Sequence, residues 1–337
     1  MKGLLVASDP GRNLCWPSIP ALQVKQLVPV ANKPIALHGL ERLRVAGATE
    51  VAVAVCSATA APLRELLGDG RRFGVEVSYI EQQEARGLLP ALRGAEGFAA
   101  GDDLIVHPSD VVTAGQIERL VDDFHRESLD ALMLVAGEGA APSATAEFTG
   151  LSILGPRALR SVAATLAGRP DAGLADLLHR LRADGACVAT RGTYDWARLG
   201  TDQSSLLDAS RIVLGSIAPS DASGQHLNRE SVTVHGVALI ERSARIESST
   251  IRGPVVVGAR VHIRHAFIGP CTSIGDDVEI DGAEIENSVV LSDVVMRHVP
   301  QRVDSSILGS GTRISTDFGL PRGLRLQLGE QSEVTLS

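Results

Sequence analysis

From residue 234 onward, aliphatic side chains recur on a fixed measure: Val234, Ile240 and Ile246, then Ile251, Val257 and Ile263, then Ile268, Ile274 and Ile280, then Ile285 and Leu291. The steps are six, six and five residues, so the pattern returns every 17. An α-helix needs apolar residues three or four apart and a half-buried strand needs alternation, so neither fits this spacing. A three-sided coil does fit. Each side contributes one inward aliphatic, glycine and small polar residues turn the corners, and each coil buries its apolar face against the next. The segments "GPVVVGARVHI" and "GPCTSIGDDVEI" share this layout, and "DSSILGSGTRI" adds part of a further coil. The spacing therefore predicts a parallel β-helix over 231–337. Hexapeptide coils of this kind wind left-handed, against the usual right-handed crossover. His262 and His265 flank the inward Ile263 and are expected to face outward, as solvated residues rather than bases.

The first half reads differently. "GLLVAS", "EVAVAVC", "VEVSYIEQ", "DDLIVHPSD" and "DALMLVAG" are strand-like runs, separated by helical stretches such as "PIALHGLERLRVAG", "ATAAPLRELLGDG", "GLLPALRGAEGF" and "AGQIERLVDDFHRE". Strands alternating with helices of this length predict βαβ units on a parallel sheet. Sites in such sheets lie beyond the carboxyl ends of the strands. Those ends fall at residues 7–17, Glu81–Gly87 and Ser109–Asp110. Two further helices are expected at "LADLLHRLRADG" and "TDQSSLLDASRIVL". The stretch "SIAPSDASGQHLNR" has linker composition. The expected organisation is an α/β domain over 1–218, a linker over 219–230 and the β-helix over 231–337.

Composition narrows the function classes. The net charge is −8, without basic runs or interleaved aromatics, which argues against nucleic acid and anionic membranes as partners. No apolar run reaches the length of a membrane span. The four cysteines, Cys15, Cys56, Cys187 and Cys271, have no metal-type spacing and read as reduced thiols, pointing to a cytoplasmic protein. Of 32 basic residues, only Lys2, Lys25 and Lys33 are lysines. A compact ammonium on a flexible stem differs from a planar guanidinium, and a phosphate site can distinguish them. The lysines of "VKQLVPVANKP" are therefore either phosphate contacts or residues of a solvated face.

The stretches "KQLVPVANKPIALHGLERLRVAGATEV", "GDGRRFGVEVSYIEQ" and "IRGPVVVGARVHIRHAFIGPCTSIGDDVEIDGAEIENSVV" resemble the long-form glucose-1-phosphate thymidylyltransferases, sugar-nucleotide pyrophosphorylases of bacterial deoxysugar pathways. The resemblance covers nearly the whole chain. It implies a Rossmann-like, GT-A-like nucleotidyltransferase domain followed by the left-handed β-helix, whose apolar open end or flat faces invite pairing, so a homo-oligomer is expected. It also implies dTTP and a sugar 1-phosphate as small-molecule ligands, with Mg²⁺ as cofactor. In that reaction a sugar phosphate oxygen attacks the α-phosphorus and pyrophosphate leaves. Catalysis then consists of positioning and of neutralising phosphate charge.

Carried over residue by residue, the family's motifs are unevenly kept. Its phosphate loop, L-A-G-G-x-G-T-R-L, reads V-A-S-D-P-G-R-N-L here. Ser8 and Asp9 replace two glycines, Pro10 has no amide hydrogen to donate, and Asn13 replaces the arginine. Gly11 remains, and Arg12 stands one place early. The lysine of S/A-K-Q-L is Lys25, which with Arg12 is the expected catalytic cation. The base-contacting Q-x-x-x-x-G-L-A is matched by Gln82, Gly87 and Leu88; Ser8, Gly11, Gln82 and Gly87 are thus the expected nucleotide contacts. In the sugar pocket the E-K-P segment is missing, Gly150 and Asp176 remain, and Ser152 replaces a tyrosine. Of the two metal-binding aspartates, Asp110 is kept and the second is Arg198, with Asp195 on the other side of Trp196. These substitutions fall at chemistry-bearing positions while the scaffold stays legible. The reading is a thymidylyltransferase-like protein with ordinary Mg²⁺-dependent catalysis lost or strongly impaired, left with a binding, scaffolding or repurposed role. The alternative is a divergent, active nucleotidyltransferase on an unusual phosphorylated substrate, with Arg12, Lys25, Asp110 and Arg198 as a phosphate clamp.

Overall fold

The computed structural model describes residues 1–7, 24–82, 87–115, 117–137, 147–169, 171–200, 202–221, 231–316, 324–327 and 334. They form two compact units. One holds the described residues of 1–12, 23–28 and 34–199, and the other those of 29–33 and 200–337.

The first unit is built on a seven-stranded sheet. Its strands are β1 (Lys2–Ala7), β2 (Glu50–Val55), β3 (Glu76–Glu81), β4 (Leu104–Pro108), β6 (Ala131–Ala136), β7 (Phe148–Leu154) and β8 (Val188–Thr193), in the spatial order β8-β6-β7-β4-β1-β2-β3. The expected parallel core is present: β1 pairs parallel with β2 and β4, and β2 with β3. The apolar runs are continuous because both faces are covered. Leu4, Ala52, Ala54, Leu92 and Val106 pack on one face, and Leu5, Val51, Val53, Leu40 and Ile105 on the other.

Helices α1 (Ile35–Val45), α2 (Ser57–Leu67), α3 (Leu88–Ala99) and α4 (Ile117–Arg126) fall where the spacing placed them. Pro90 stands in the first turn of α3, where backbone N–H groups have no partner within the helix. One strand breaks the expected parallel scheme. β7 runs antiparallel between β4 and β6, and α5 (Pro156–Gly168) follows it. α6 (Leu174–Ala183) then leads to β8. A short antiparallel pair, β5 (Val111–Thr113) with β9 (Trp196–Arg198), sets Arg198 opposite Val111.

The second unit contains α7 (Gln203–Gly215) and the β-helix. α7 was expected in the first domain, ending at 218. It groups instead with the second unit, where Arg211 Nε donates to Asn287 Oδ1 at 3.3 Å. The coils form three parallel sheets, one per side, beginning at Val232–His235, Ala238–Ile240 and Arg245–Glu247; the expected parallel run to 337 is broken at the edge of the third, where Leu324–Gln327 pairs antiparallel with Arg313–Thr316. The 17-residue register holds through Ile251, Ile268 and Ile285, through Val257 and Ile274, and through Ile263 and Ile280. These residues are at most 2% exposed.

Two positions differ from the spacing. Val290, not Leu291, stacks on Ile274, because the corner after Ile285 is one residue short. Val234 is in register with Ile251 but 40% exposed, and Val232 is the buried residue of its strand. His262 and His265 are exposed, as expected. Ion pairs link successive coils on the outside: Arg260 to Asp277 at 2.6 Å, Arg264 to Asp281 at 2.7 Å, and Arg297 to Glu279 at 2.7 Å. Among the described residues no helix is long and apolar enough to cross a membrane.

Candidate functional site

At the carboxyl end of β4 the chain turns through Ser109 and Asp110 into β5. The Ser109 amide donates to the Val6 carbonyl at 2.9 Å, and the Leu199 amide donates to the Asp110 carbonyl at 2.8 Å. The backbone of Asp110 is therefore fixed from two sides. Its carboxylate meets Lys25, which opens a short 3₁₀ turn over Lys25–Leu27: Nζ lies 2.6 Å from Oδ2, and both side chains are largely buried. An ammonium and a carboxylate withdrawn from water this far are stable only as a pair, since either alone would pay several kcal/mol of desolvation.

Gly150 in β7 explains how closely the strands approach this turn. Its φ is +92°, and a Cβ there would lie 2.4 Å from Pro108 Cγ and 3.6 Å from Arg198 Nη2. Only glycine tolerates both the conformation and the contact. Arg198 donates through Nη2 to the Thr149 carbonyl at 2.8 Å and, at 3.4 Å, to that of Phe148. Lys25, Asp110, Gly150 and Arg198 thus converge. The Thr149 carbonyl that holds Arg198 carries no residue-type signal in the sequence.

The remaining expected residues stand as follows. Gln82 directly follows β3, at the carboxyl edge of the sheet; its amide donates to Val55, and its Oε1 is buried without a hydrogen-bond partner among the described residues. The Ser109 Oγ is in the same state. Buried acceptors are seldom left unmatched in a folded chain, so both suit a site that receives a polar ligand. Gly87, at φ +84°, caps the start of α3 with open space around it. Asp176 does not join the cluster. One carboxylate oxygen accepts from the Gly173 amide at 2.8 Å and the other from Arg169 at 2.5 Å, so it caps α6. Ser8, Gly11 and Arg12, with Asp9, Pro10 and Asn13, lie outside the described residues.

Behind the turn, His107 is fully buried, with Nδ1 2.7 Å from the Pro108 carbonyl and Nε2 unmatched. Burial drives its pKa down to about 4, the Pro108 hydrogen bond opposing this and Arg42 adding to it. The imidazole is thus neutral at pH 7 and packs as a structural group. The described cysteines, Cys56, Cys187 and Cys271, form no disulfide.

A doubly covered sheet of this strand order, with a lysine and an aspartate meeting at its carboxyl edge, defines the nucleotidyltransferase class. A family model described as nucleotidyl transferase matches residues 16–145. Over 361 aligned positions the chain is 30% identical to a glucose-1-phosphate thymidylyltransferase of Streptomyces griseus, covering 100% of both chains. It is 28% identical to one of Streptomyces antibioticus, and 28% identical to the low-salt glycan biosynthesis nucleotidyltransferase Agl11 of Haloferax volcanii. Those alignments cover 100% of this chain and 99% and 100% of the relatives. A solved Bacillus anthracis structure named for a glucose-1-phosphate thymidylyltransferase, in complex with sucrose, superposes with a TM-score of 0.55. It is 20% identical and covers 62% of this chain and 94% of its own, a likeness of fold. The chain belongs to the glucose-1-phosphate thymidylyltransferase family.

Proposed function

We propose that this family member binds a nucleotide or sugar phosphate at the carboxyl edge of its sheet, with the ordinary Mg²⁺-dependent transfer from dTTP lost or strongly impaired. The arrangement around Asp110 carries this reading. Lys25 Nζ occupies one oxygen of Asp110 at 2.6 Å, and the position matched to the family's second metal-binding aspartate is Arg198. Mg²⁺ requires near-octahedral oxygen coordination, and a guanidinium repels it. The two positions thus present one carboxylate engaged by an ammonium and one guanidinium, a donor set that does not fit a Mg²⁺ held between two carboxylates. Lys25 and Arg198 remain suited to phosphate, and the buried Gln82 Oε1 to an imide N–H or hydroxyl of the ligand.

The test is incubation with dTTP, Mg²⁺ and a panel of sugar 1-phosphates, following pyrophosphate release, alongside thermal-shift binding with the same compounds. The proposal expects a stabilising shift with no significant turnover. Turnover at a rate ordinary for an enzyme would overturn it, as would the absence of any shift.

A further inference from the structure

Arg198 is held in place, and its charge is unanswered among the described residues. Its Nη2 is tethered to the Thr149 carbonyl at 2.8 Å, its strand is pinned by pairing with β5, and the next residue donates its amide to Asp110. Among the described residues no carboxylate pairs with it. The tether engages Nη2 alone, through the Thr149 carbonyl and, at 3.4 Å, that of Phe148; the residue is exposed, and among the described residues Nε and Nη1 have no partner. Beside it, Lys25 and Asp110 cancel each other. Among the described residues the cluster therefore carries one excess positive charge, on a pre-positioned guanidinium, at the end of the sheet where parallel strands finish.

We infer that Arg198 binds the phosphoryl group of the ligand directly, with no divalent metal between protein and phosphate. The inference rests on the reading above that the donor set does not fit Mg²⁺. With Nη2 held by the carbonyls, the guanidinium offers a phosphoryl group its Nε–H and Nη1–H donors and its charge, and the tether spares it the rotamer loss of a free arginine. Uptake is then independent of metal and specific for an anion.

Isothermal titration of the full chain with dTTP and, separately, with glucose 1-phosphate tests this, each in excess EDTA and in Mg²⁺. The two arms distinguish a nucleotide from a sugar phosphate as the source of the phosphoryl group. At least one probe is expected to bind with the same affinity in both buffers. Arg198→Ala is expected to weaken that binding roughly tenfold or more, the effect of losing a charge-assisted hydrogen bond. Arg198→Gln keeps a donor for the Thr149 carbonyl and removes the charge, so it should fold normally and weaken binding similarly. Binding that requires Mg²⁺, binding of neither probe, or wild-type affinity in Arg198→Gln would each overturn the inference. Mg²⁺-dependent binding without pyrophosphate release overturns this inference alone. Pyrophosphate release with metal-independent binding overturns only the loss of transfer, and release with Mg²⁺-dependent binding overturns both.

Discussion

Lys25 Nζ lies 2.6 Å from Asp110 Oδ2, with the two side chains 8% and 11% exposed. Removing either partner leaves a charge in a place made for two. Lys25→Met or Asp110→Asn is expected to cost about 3 to 5 kcal/mol, whereas the double variant should cost clearly less than the sum. Urea denaturation of the four proteins measures the coupling. Additive losses would mean that the pair is not a stabilising unit.

Gly150 combines a positive φ with the close approach of the Pro108 ring, which cannot retreat. Gly150→Ala should destabilise by about 2 to 4 kcal/mol, the sum of left-handed strain and overpacking against Pro108. Gly87→Ala, at a similar φ but with open space, should lose only the strain component. Equal losses in the two variants would contradict the close-approach argument.

His107 gives stability a defined pH dependence. Its folded pKa of about 4 lies below the ordinary 6.5, so between those values the unfolded chain holds a proton that the folded chain does not. Its contribution is complete above pH 6.5 and falls away as pH drops towards 4, by about 3 kcal/mol in all. His107→Gln should flatten this part of the profile. An unchanged slope between pH 6.5 and 4 would assign it to other groups.

Restoring the family's residues should restore metal dependence. In the paired variant Asn13→Arg with Arg198→Asp, Mg²⁺ with dTTP is expected to raise the melting temperature by roughly 3 to 6 °C beyond dTTP alone. The wild-type protein should show no such increment. Differential scanning fluorimetry decides, and equal Mg²⁺ increments in the two proteins would show that Arg198 is not what excludes the ion.

Within the β-helix, interior and exterior contacts should differ sharply. Ile280→Ala removes a fully buried side chain between Ile263 and Met296 and should cost about 2 to 5 kcal/mol. Arg260→Ala, on the exposed ladder, should leave the unfolding midpoint near that of the wild type. Comparable midpoint shifts would give the ion pairs a weight that exposed pairs rarely have.

The β-helix was legible because each inward position is a separate aliphatic on a constant step, so register and element type came from one pattern. The parallel strands were legible as continuous apolar runs. "FTGLSIL" was not read as a strand, and its direction has no local signature: β7 is antiparallel only because of where it inserts between β4 and β6. Val290 and Leu291 are both aliphatic, so the spacing could not register a corner shortened by one residue. At the site, Lys25 and Asp110 were visible as residue types at motif positions, but their contact spans 85 residues of sequence. Asp176 stands at a motif position, but its carboxylate serves a helix end, a role that its place three residues after Gly173 also encodes. The Arg198 tether ends on backbone carbonyls, which no side-chain pattern reports.

The stacked aliphatics of the β-helix have one more consequence. Ile251, Ile268 and Ile285 on one side, Val257, Ile274 and Val290 on the second, and Ile263, Ile280 and Met296 on the third meet along the axis with at most 2% exposure. Among the described coils the axis is filled by these side chains, with no bore for a small molecule to enter. The domain can act on other molecules only through its outer faces and its two ends, and its stiffness comes from neighbouring coils alone. Shortening it by whole coils would change its reach without changing its cross-section.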